Sequence, residues 1–149
     1  MNKFETNKFF ENIHASCVCI NGRGLLLLGA SGSGKSDLAL RLIENKKAVL
    51  VADDRVDLSI TKGKLYASPP EILKGLLEVR GVGIMTIPFC SQTEVCLAIK
   101  LMPDFKTVER LPEEEFFVFK DIKIPQLSLY PFESSAPDKI VIKLKALLD

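Results

Sequence analysis

Eight consecutive residues carry the clearest chemistry in the sequence: Gly29, Ala30, Ser31, Gly32, Ser33, Gly34, Lys35 and Ser36. They fit the pattern G-x-x-x-x-G-K-[ST], in which glycines let backbone N–H groups approach a phosphate closely. The lysine supplies a cation for the terminal phosphates, and the serine hydroxyl is a ligand for Mg²⁺. We therefore predict a binding site for a purine nucleotide such as ATP, with Mg²⁺ as its cofactor.

A second candidate group is the carboxylate pair Asp53 and Asp54, which follows the apolar run at 48–52. A carboxylate there could accept a proton or hold a metal-linked water, but two adjacent aspartates are also typical of a turn. Both interpretations stay open on residue types alone. Because neighbouring side chains at a strand end point to opposite faces, we expect only one of the two to face the phosphates.

The stretch at 77–84 places Glu78, Arg80 and two glycines among strand-forming residues, which indicates a site. On residue types alone, a surface ion pair between Glu78 and Arg80 is the simpler interpretation. His14 is the only histidine, and a single histidine is more often structural or exposed than catalytic.

The elements that must hold these residues are predicted from apolar periodicity and turn signals. Residues 1–13 show no period and are predicted to be a leader, followed by one domain at 14–149. Helices are predicted near 37–45, 69–76 and 137–148. The sequence predicts an α/β fold with about nine strands, including those at 16–20, 25–28, 48–52, 56–60, 64–67, 94–101, 116–122 and 124–130.

Composition limits the partners. Twenty basic and nineteen acidic residues give a net charge of +1 without a run of one sign, so we expect neither nucleic acid nor a polybasic membrane contact. The longest apolar stretch, at 25–30, is too short to span a bilayer, and we expect a cytoplasmic protein. The four cysteines are Cys17, Cys19, Cys90 and Cys96. Their spacing is not that of a metal site, so we predict buried reduced thiols and no zinc site.

The sequence resembles the bacterial HPr kinase/phosphorylases, specifically their C-terminal catalytic domain. The resemblance rests on the phosphate-binding segment, on His14 upstream of it, on Val-Ala-Asp-Asp-Arg-Val at 51–56 and on Leu-Glu-Val-Arg-Gly-Val-Gly-Ile at 77–84. It covers residues from about 13 to 145. It implies a strand-rich mixed sheet related to phosphoenolpyruvate carboxykinases, with a phosphate-loop helix and a C-terminal helix. It also implies transfer of phosphate from ATP, with Mg²⁺, to a serine of the phosphocarrier HPr, and in many members the reverse phosphorolysis.

The resemblance also implies roles for single residues. Catalytic positions of the family match His14, Lys35, Asp53 and Arg110. Its Mg²⁺ ligands match Ser36 and Glu78, and its segment needed for both reaction directions matches 77–86. By the same resemblance Asp53 faces the phosphates and takes the proton, and Asp54 lies behind it or reaches Mg²⁺ through a water molecule. The resemblance also implies that the protein forms a hexamer.

Two departures from the family pattern stand out. The separate N-terminal domain of most members has no counterpart in this sequence, so the chain looks like a truncated catalytic form. The segment that typically reads Pro-Val-Arg-Pro-Gly-Arg is Tyr-Pro-Phe-Glu-Ser-Ser at 130–135, and losing two arginines predicts weak phosphorolysis. Two alternatives stay open: a kinase acting on a small metabolite, and a nucleotide-binding regulatory module without turnover.

Overall fold

The computed structural model describes residues 9–148, which form eleven strands and two α-helices. In chain order these are β1 (Phe9–Ile13), β2 (Ser16–Ile20), β3 (Arg23–Leu28), α1 (Lys35–Lys46), β4 (Val49–Ala52), β5 (Val56–Thr61), β6 (Lys64–Ser68), β7 (Leu76–Val79), β8 (Gly83–Thr86), β9 (Thr93–Leu101), β10 (Glu115–Phe119), β11 (Ile122–Leu129) and α2 (Ala136–Leu147). The predicted α/β class, with a phosphate-loop helix and a C-terminal helix, is confirmed. The structure has more strands than predicted.

Nine strands form one mixed sheet. Its main order is β1-β5-β6-β9-β3-β2-β4, with β11 on β9 and β10 outside β11. Strands β3, β9 and β11 run parallel, and β2 is antiparallel to both β3 and β4. The strand β4 therefore runs in the same direction as β3. As a result the carboxyl ends of β3, β4, β9 and β11 lie at one edge of the sheet.

The core occupies both faces of this sheet. On β3, Leu25 and Leu27 pack with the helices, which contribute Leu38 and Ile140 among other residues. Leu26 points to the opposite face and joins a second apolar cluster. A run of consecutive leucines is expected for a strand that is covered on both faces. Among the described residues, no helix has the length and apolar character needed to cross a membrane.

The prediction for the N-terminal leader is wrong for its last five residues. Phe9–Ile13 forms β1, which pairs antiparallel with β5 at the edge of the sheet. The first eight residues of the predicted leader lie outside the described part of the chain. A short edge strand held by partners more than 40 positions away leaves no periodic signal in its own sequence.

The helix predicted at 69–76 is also wrong. Only Glu71–Leu73 forms a short 3₁₀ turn, and β7 already begins at Leu76. Lys74 ends the turn with φ of −55° and ψ of 128°, and Gly75 follows in a left-handed conformation with φ of 72°. The proline pair marks the start of the turn correctly, but nothing after it sustains a helix.

The four cysteines are free thiols. Cys17 and Cys19 are buried, as predicted, whereas Cys90 and Cys96 are only half-buried. Burial raises the pKa of the Cys17 thiol far above its usual range. This thiol is therefore expected to stay protonated and unreactive.

Candidate active site

A cleft of about 520 Å³ opens at the edge of the sheet where the parallel strands end. Ligands of open sheets bind at this edge. The residues that give the cleft its character are His14, Lys35, Ser36, Asp54, Glu78 and Phe132. They come from five different parts of the chain, which the sheet brings together.

The glycine-rich segment forms the loop between β3 and α1. Gly34, with φ of 103°, precedes the first turn of α1, and Gly32 has φ of 81°. Gly29 lies so close to Ser33 that an added Cβ would come within 2.4 Å of the Ser33 hydroxyl oxygen. That oxygen is the single buried side-chain polar atom without a hydrogen-bond partner among the described residues. A helix N-terminus entered through such a loop is suited to bind a phosphate.

Lys35 lies under this loop. Its Nζ donates hydrogen bonds to the carbonyl oxygens of Gly29 at 2.7 Å and Ala30 at 2.9 Å. Burial lowers the pKa of Lys35, and the negative charges of Asp54 and Asp53 oppose that shift. The lysine is thus a cation held at the loop by neutral carbonyls.

Asp53 is the centre of a buried hydrogen-bond network at the end of β4. Its Oδ1 accepts from Ser16 Oγ and from Ser36 Oγ, both at 2.8 Å. Its Oδ2 accepts from Ser36 Oγ at 3.0 Å and from the backbone N–H of Glu78 at 3.2 Å. One carboxylate therefore joins β2, the start of α1, β4 and β7. Because Ser36 donates its hydroxyl hydrogen to Asp53, its oxygen lone pairs remain available for a cation.

The two aspartates point to different places. Asp54 lines the cleft, where its Oδ1 lies 3.2 Å from Nε2 of His14, while Asp53 is buried behind Ser36. Asp54 adopts φ of 71°, and its backbone N–H donates to Ser16 Oγ at 3.4 Å. The left-handed turn at Asp54 is what sends the two carboxylates to different places.

Glu78 and Arg80 both line the cleft from the β7 side. Glu78 is exposed, and within the described residues its carboxylate has neither a hydrogen bond nor an ion pair. The surface pair with Arg80 that residue types favoured is therefore not formed. An unpaired carboxylate next to a phosphate-binding loop is a suitable ligand for Mg²⁺.

Arg110 is not brought to this site. It is exposed in the connection between β9 and β10 and does not line the cleft. Three residues that the structure places at or beside the site were not predicted from the sequence: Ser16, Leu40 and Phe132. A serine on an apolar strand and a phenylalanine in a departing segment are the signals that could have pointed to two of them.

A metal cluster made by protein side chains alone is absent from the described residues, since no three His, Cys, Asp or Glu side chains group together. Mg²⁺ differs from Zn²⁺ in this respect, because it binds through one or two protein oxygens, waters and substrate phosphates. The Ser36 hydroxyl and the Glu78 carboxylate meet that requirement, with Asp53 orienting the hydroxyl.

Comparison with known proteins agrees with this architecture. Residues 7–143 match the family model described as HPr Serine kinase C-terminal domain. This chain belongs to that HPr kinase family. The resemblance stated from the sequence is therefore confirmed.

Relatives of the HPr kinase family cover most of this chain. The HPr kinase/phosphorylase of Thermoanaerobacter sp. (strain X514) is 36% identical over 146 residues, covering 91% of this chain and 47% of the relative. That of Brevibacillus brevis is 34% identical over 161 residues, covering 96% of this chain and 51% of the relative. The chain thus spans about half the length of the curated relatives it matches. The structure of the HPr(Ser) kinase/phosphatase from Coxiella burnetii matches with a TM-score of 0.79 and 25% identity, covering 91% of this chain and 95% of that one.

Proposed function

We propose that this chain is an ATP- and Mg²⁺-dependent kinase that phosphorylates a serine of an HPr-like phosphocarrier protein. The observation that carries the proposal is the hydrogen-bonded set at the start of α1. There Lys35 lies at the phosphate-binding loop, and Ser36 donates to the buried Asp53. Membership of the HPr kinase family supports the protein acceptor. Because ATP is the phosphate donor, we place the reaction in the cytoplasm.

The loop at 29–36 would hold the phosphates of ATP. The positive φ angles of Gly32 and Gly34 allow backbone N–H groups of the loop to point at an anion, whereas the N–H of Ser33 already donates to the carbonyl oxygen of Ala30 at 3.0 Å. Lys35 would turn from its two carbonyl partners to the terminal phosphates. That exchange replaces two hydrogen bonds from the ammonium to neutral carbonyls with contacts between opposite charges.

Ser36 and Glu78 would hold Mg²⁺. When bound there, the cation neutralises charge on the transferring phosphoryl group. Asp53 keeps the Ser36 hydroxyl oriented by accepting its hydrogen. Glu78 is positioned by its own backbone, because its N–H donates to the same carboxylate. A single buried aspartate thus fixes both proposed ligands.

Asp53 is also the proposed acceptor for the proton of the serine hydroxyl. This role rests on the family resemblance, and the buried position of Asp53 sets a condition on it. Three donors already bind its two oxygens, which offer about four acceptor sites between them, so a substrate hydroxyl must reach the remaining site or displace one of the donors. His14, paired with Asp54 in the cleft, would orient the incoming group or contact its phosphate.

Arg110 would act from outside the cleft of its own chain. Its guanidinium is exposed, which fits a contribution to the site of a neighbouring subunit in the hexamer that the resemblance implies. A guanidinium there would stabilise charge on the transferring phosphoryl group.

The reverse reaction is proposed to be weak. Phosphorolysis needs a site for inorganic phosphate, and Lys35 and Arg80 are the two lysine or arginine side chains among the described residues that line the cleft. At the segment where the family typically has arginines, this chain presents Phe132.

Transfer of labelled γ-phosphate from ATP to an HPr-type protein tests the proposal. We expect Mg²⁺-dependent label on a serine, at least 100-fold less with Lys35→Met. A matched change, Lys145→Met on the exposed surface of α2, should leave the rate unchanged. Inorganic phosphate added to the labelled product should release little pyrophosphate.

Two results would contradict the proposal. Label on a small metabolite but not on the protein would identify a metabolite kinase. ATP binding without any transfer would identify a regulatory module.

A further inference from the structure

Phe132 is exposed although it lies in the cleft. It follows β11, its side chain lines the cleft, and 55% of its surface is accessible. Most of the other side chains that define the cleft are polar or charged; Leu40, on the first turns of α1, is another apolar contributor. An aromatic ring left open in such a site is available to contact a ligand.

The loop that carries Phe132 is fixed to the phosphate-binding helix. Arg41 of α1 donates hydrogen bonds to the backbone carbonyls of Pro131 and Glu133. The ring of Phe132 packs edge-to-face on Tyr130, with centroids 5.7 Å apart. It also lies against Gly34, where an added Cβ would come within 2.9 Å of Cζ of Phe132. The ring is therefore held in place before any ligand arrives.

The order of strands places Phe132 on the other side of the phosphate-binding loop from Asp53. Across the sheet the order is β4, β2, β3, β9 and β11. Asp53 ends β4 on one side of the phosphate-binding loop, and Phe132 follows β11 on the other. If the terminal phosphate is directed toward Lys35, Ser36 and Asp53, the nucleoside must leave the loop toward another part of the cleft.

We propose that Phe132 is the stacking platform for the purine base of the bound nucleotide. Stacking needs an accessible aromatic face beside the phosphate site, and this ring meets both conditions. The ring offers an apolar contact and carries no charge that could bind a phosphate. Phosphate binding instead falls to the cations among the described lining residues, which are Lys35, Arg80 and, when protonated, His14. The inference rests on the proposed nucleotide-binding function and adds a base-binding site to it.

The test compares ATP with tripolyphosphate, which has the phosphates but no base. Dissociation constants are measured by calorimetry with Mg²⁺ for the unmodified chain, Phe132→Ala and Phe132→Tyr. The control, Phe116→Ala, removes the same kind of side chain from β10, where Phe116 is exposed and does not line the cleft.

We expect Phe132→Ala to weaken ATP binding by about tenfold, the effect of losing one base–aromatic stack. Its binding of tripolyphosphate should change less than about twofold, and Phe132→Tyr and Phe116→Ala should bind ATP as the unmodified chain does. GTP should depend on Phe132 as ATP does, because every purine has a stacking face.

Three outcomes would overturn the platform. An equal loss for ATP and tripolyphosphate would show that the ring only supports the loop. Unchanged ATP binding by Phe132→Ala, or tripolyphosphate bound as tightly as ATP by the unmodified chain, would leave the base without a site. If the unmodified chain bound neither compound, the proposed nucleotide function would fail as well, so the two failures are distinguishable.

Discussion

The two sides of the phosphate-binding loop are built from different chemistry. On the β4 side, Asp53 is buried and accepts hydrogen bonds from two hydroxyls and one backbone N–H. On the β11 side, Phe132 packs on Tyr130 and on Gly34 through carbon contacts. A hydrogen-bond network fixes orientation closely, whereas an aromatic contact tolerates displacement. Under the proposed function, the side that must align the reacting atoms is therefore the polar one.

The polar side should respond most strongly to a change at its centre. Asp53→Asn replaces one acceptor oxygen with an amide N–H₂, which cannot accept from Ser16 or Ser36 and cannot take a proton. We expect the rate of phosphate transfer to fall about 10²- to 10⁴-fold, the range for loss of a general base. The initial rate with labelled ATP and an HPr-type acceptor measures it.

Asp54→Asn is the matched variant, because Asp54 is adjacent in sequence but lines the cleft beside His14. We expect a fall of about tenfold or less. A larger loss with Asp54→Asn than with Asp53→Asn would transfer the proton-accepting role to the exposed aspartate.

A second change on the polar side addresses the metal. Glu78→Gln keeps the backbone N–H that contacts Asp53 but removes the unpaired carboxylate charge from the cleft. We expect the Mg²⁺ concentration for half-maximal rate to rise about tenfold, and chelation of Mg²⁺ to abolish transfer. Glu113→Gln, in the exposed connection before β10, is the control. The same Mg²⁺ requirement in both variants would remove Glu78 from the ligand set.

On the aromatic side, Gly34→Ala tests how tightly the ring is seated. Alanine is strained at φ of 103°, and its Cβ would displace the Phe132 ring. We expect the free energy of unfolding to fall by about 2–3 kcal/mol, measured by urea denaturation. Gly63→Ala is the control, because Gly63 has φ of 77° but nothing within 4 Å of an added Cβ.

A double variant separates the two causes of that loss. When Phe132→Ala is already present, Gly34→Ala should lower the free energy of unfolding only as much as Gly63→Ala does, since only the backbone strain remains. An undiminished cost would show that the ring does not restrain Gly34.

The part of the site that is local in sequence could be predicted. The segment at 29–36 contains its own pattern, and the strand before it and the helix after it follow from adjacent residues. The end of β4 at the aspartate pair was also predictable, because a short apolar run stops there. Local residue types were sufficient in each case.

What depends on strand register could not be predicted. Ser16 reaches Asp53 only because β2 pairs with β4, with a register shift between Cys17 and Val18. Phe132 reaches Gly34 only because β11 joins the sheet beside β9. Neither pairing leaves a mark in the sequence near these residues. Which of Asp53 and Asp54 lines the cleft could not be predicted for a related reason, since the left-handed backbone at Asp54 is visible only in the structure.

Ser16 provides the smallest and most specific test of the polar side. It is completely buried, donates to Asp53 Oδ1 at 2.8 Å and accepts from the backbone N–H of Asp54 at 3.4 Å. Ser16→Ala removes one of three donors to Asp53, and we expect a loss of about 1–1.5 kcal/mol in the free energy of unfolding. Ser36 and the Glu78 N–H still hold the carboxylate, so this loss should be smaller than that of Gly34→Ala.

Kinetics would separate positioning by Ser16 from simple support of the fold. If Ser16 fixes Asp53 for the reaction, Ser16→Ala should lower kcat about tenfold and leave KM for ATP nearly unchanged. Ser16→Thr keeps the hydroxyl and should restore most of kcat, because its oxygen can still donate to Asp53. A drop in stability with unchanged kcat would instead show that Asp53 is held well enough by Ser36 and β7 alone. The precision of the polar side would then depend on two donors rather than three.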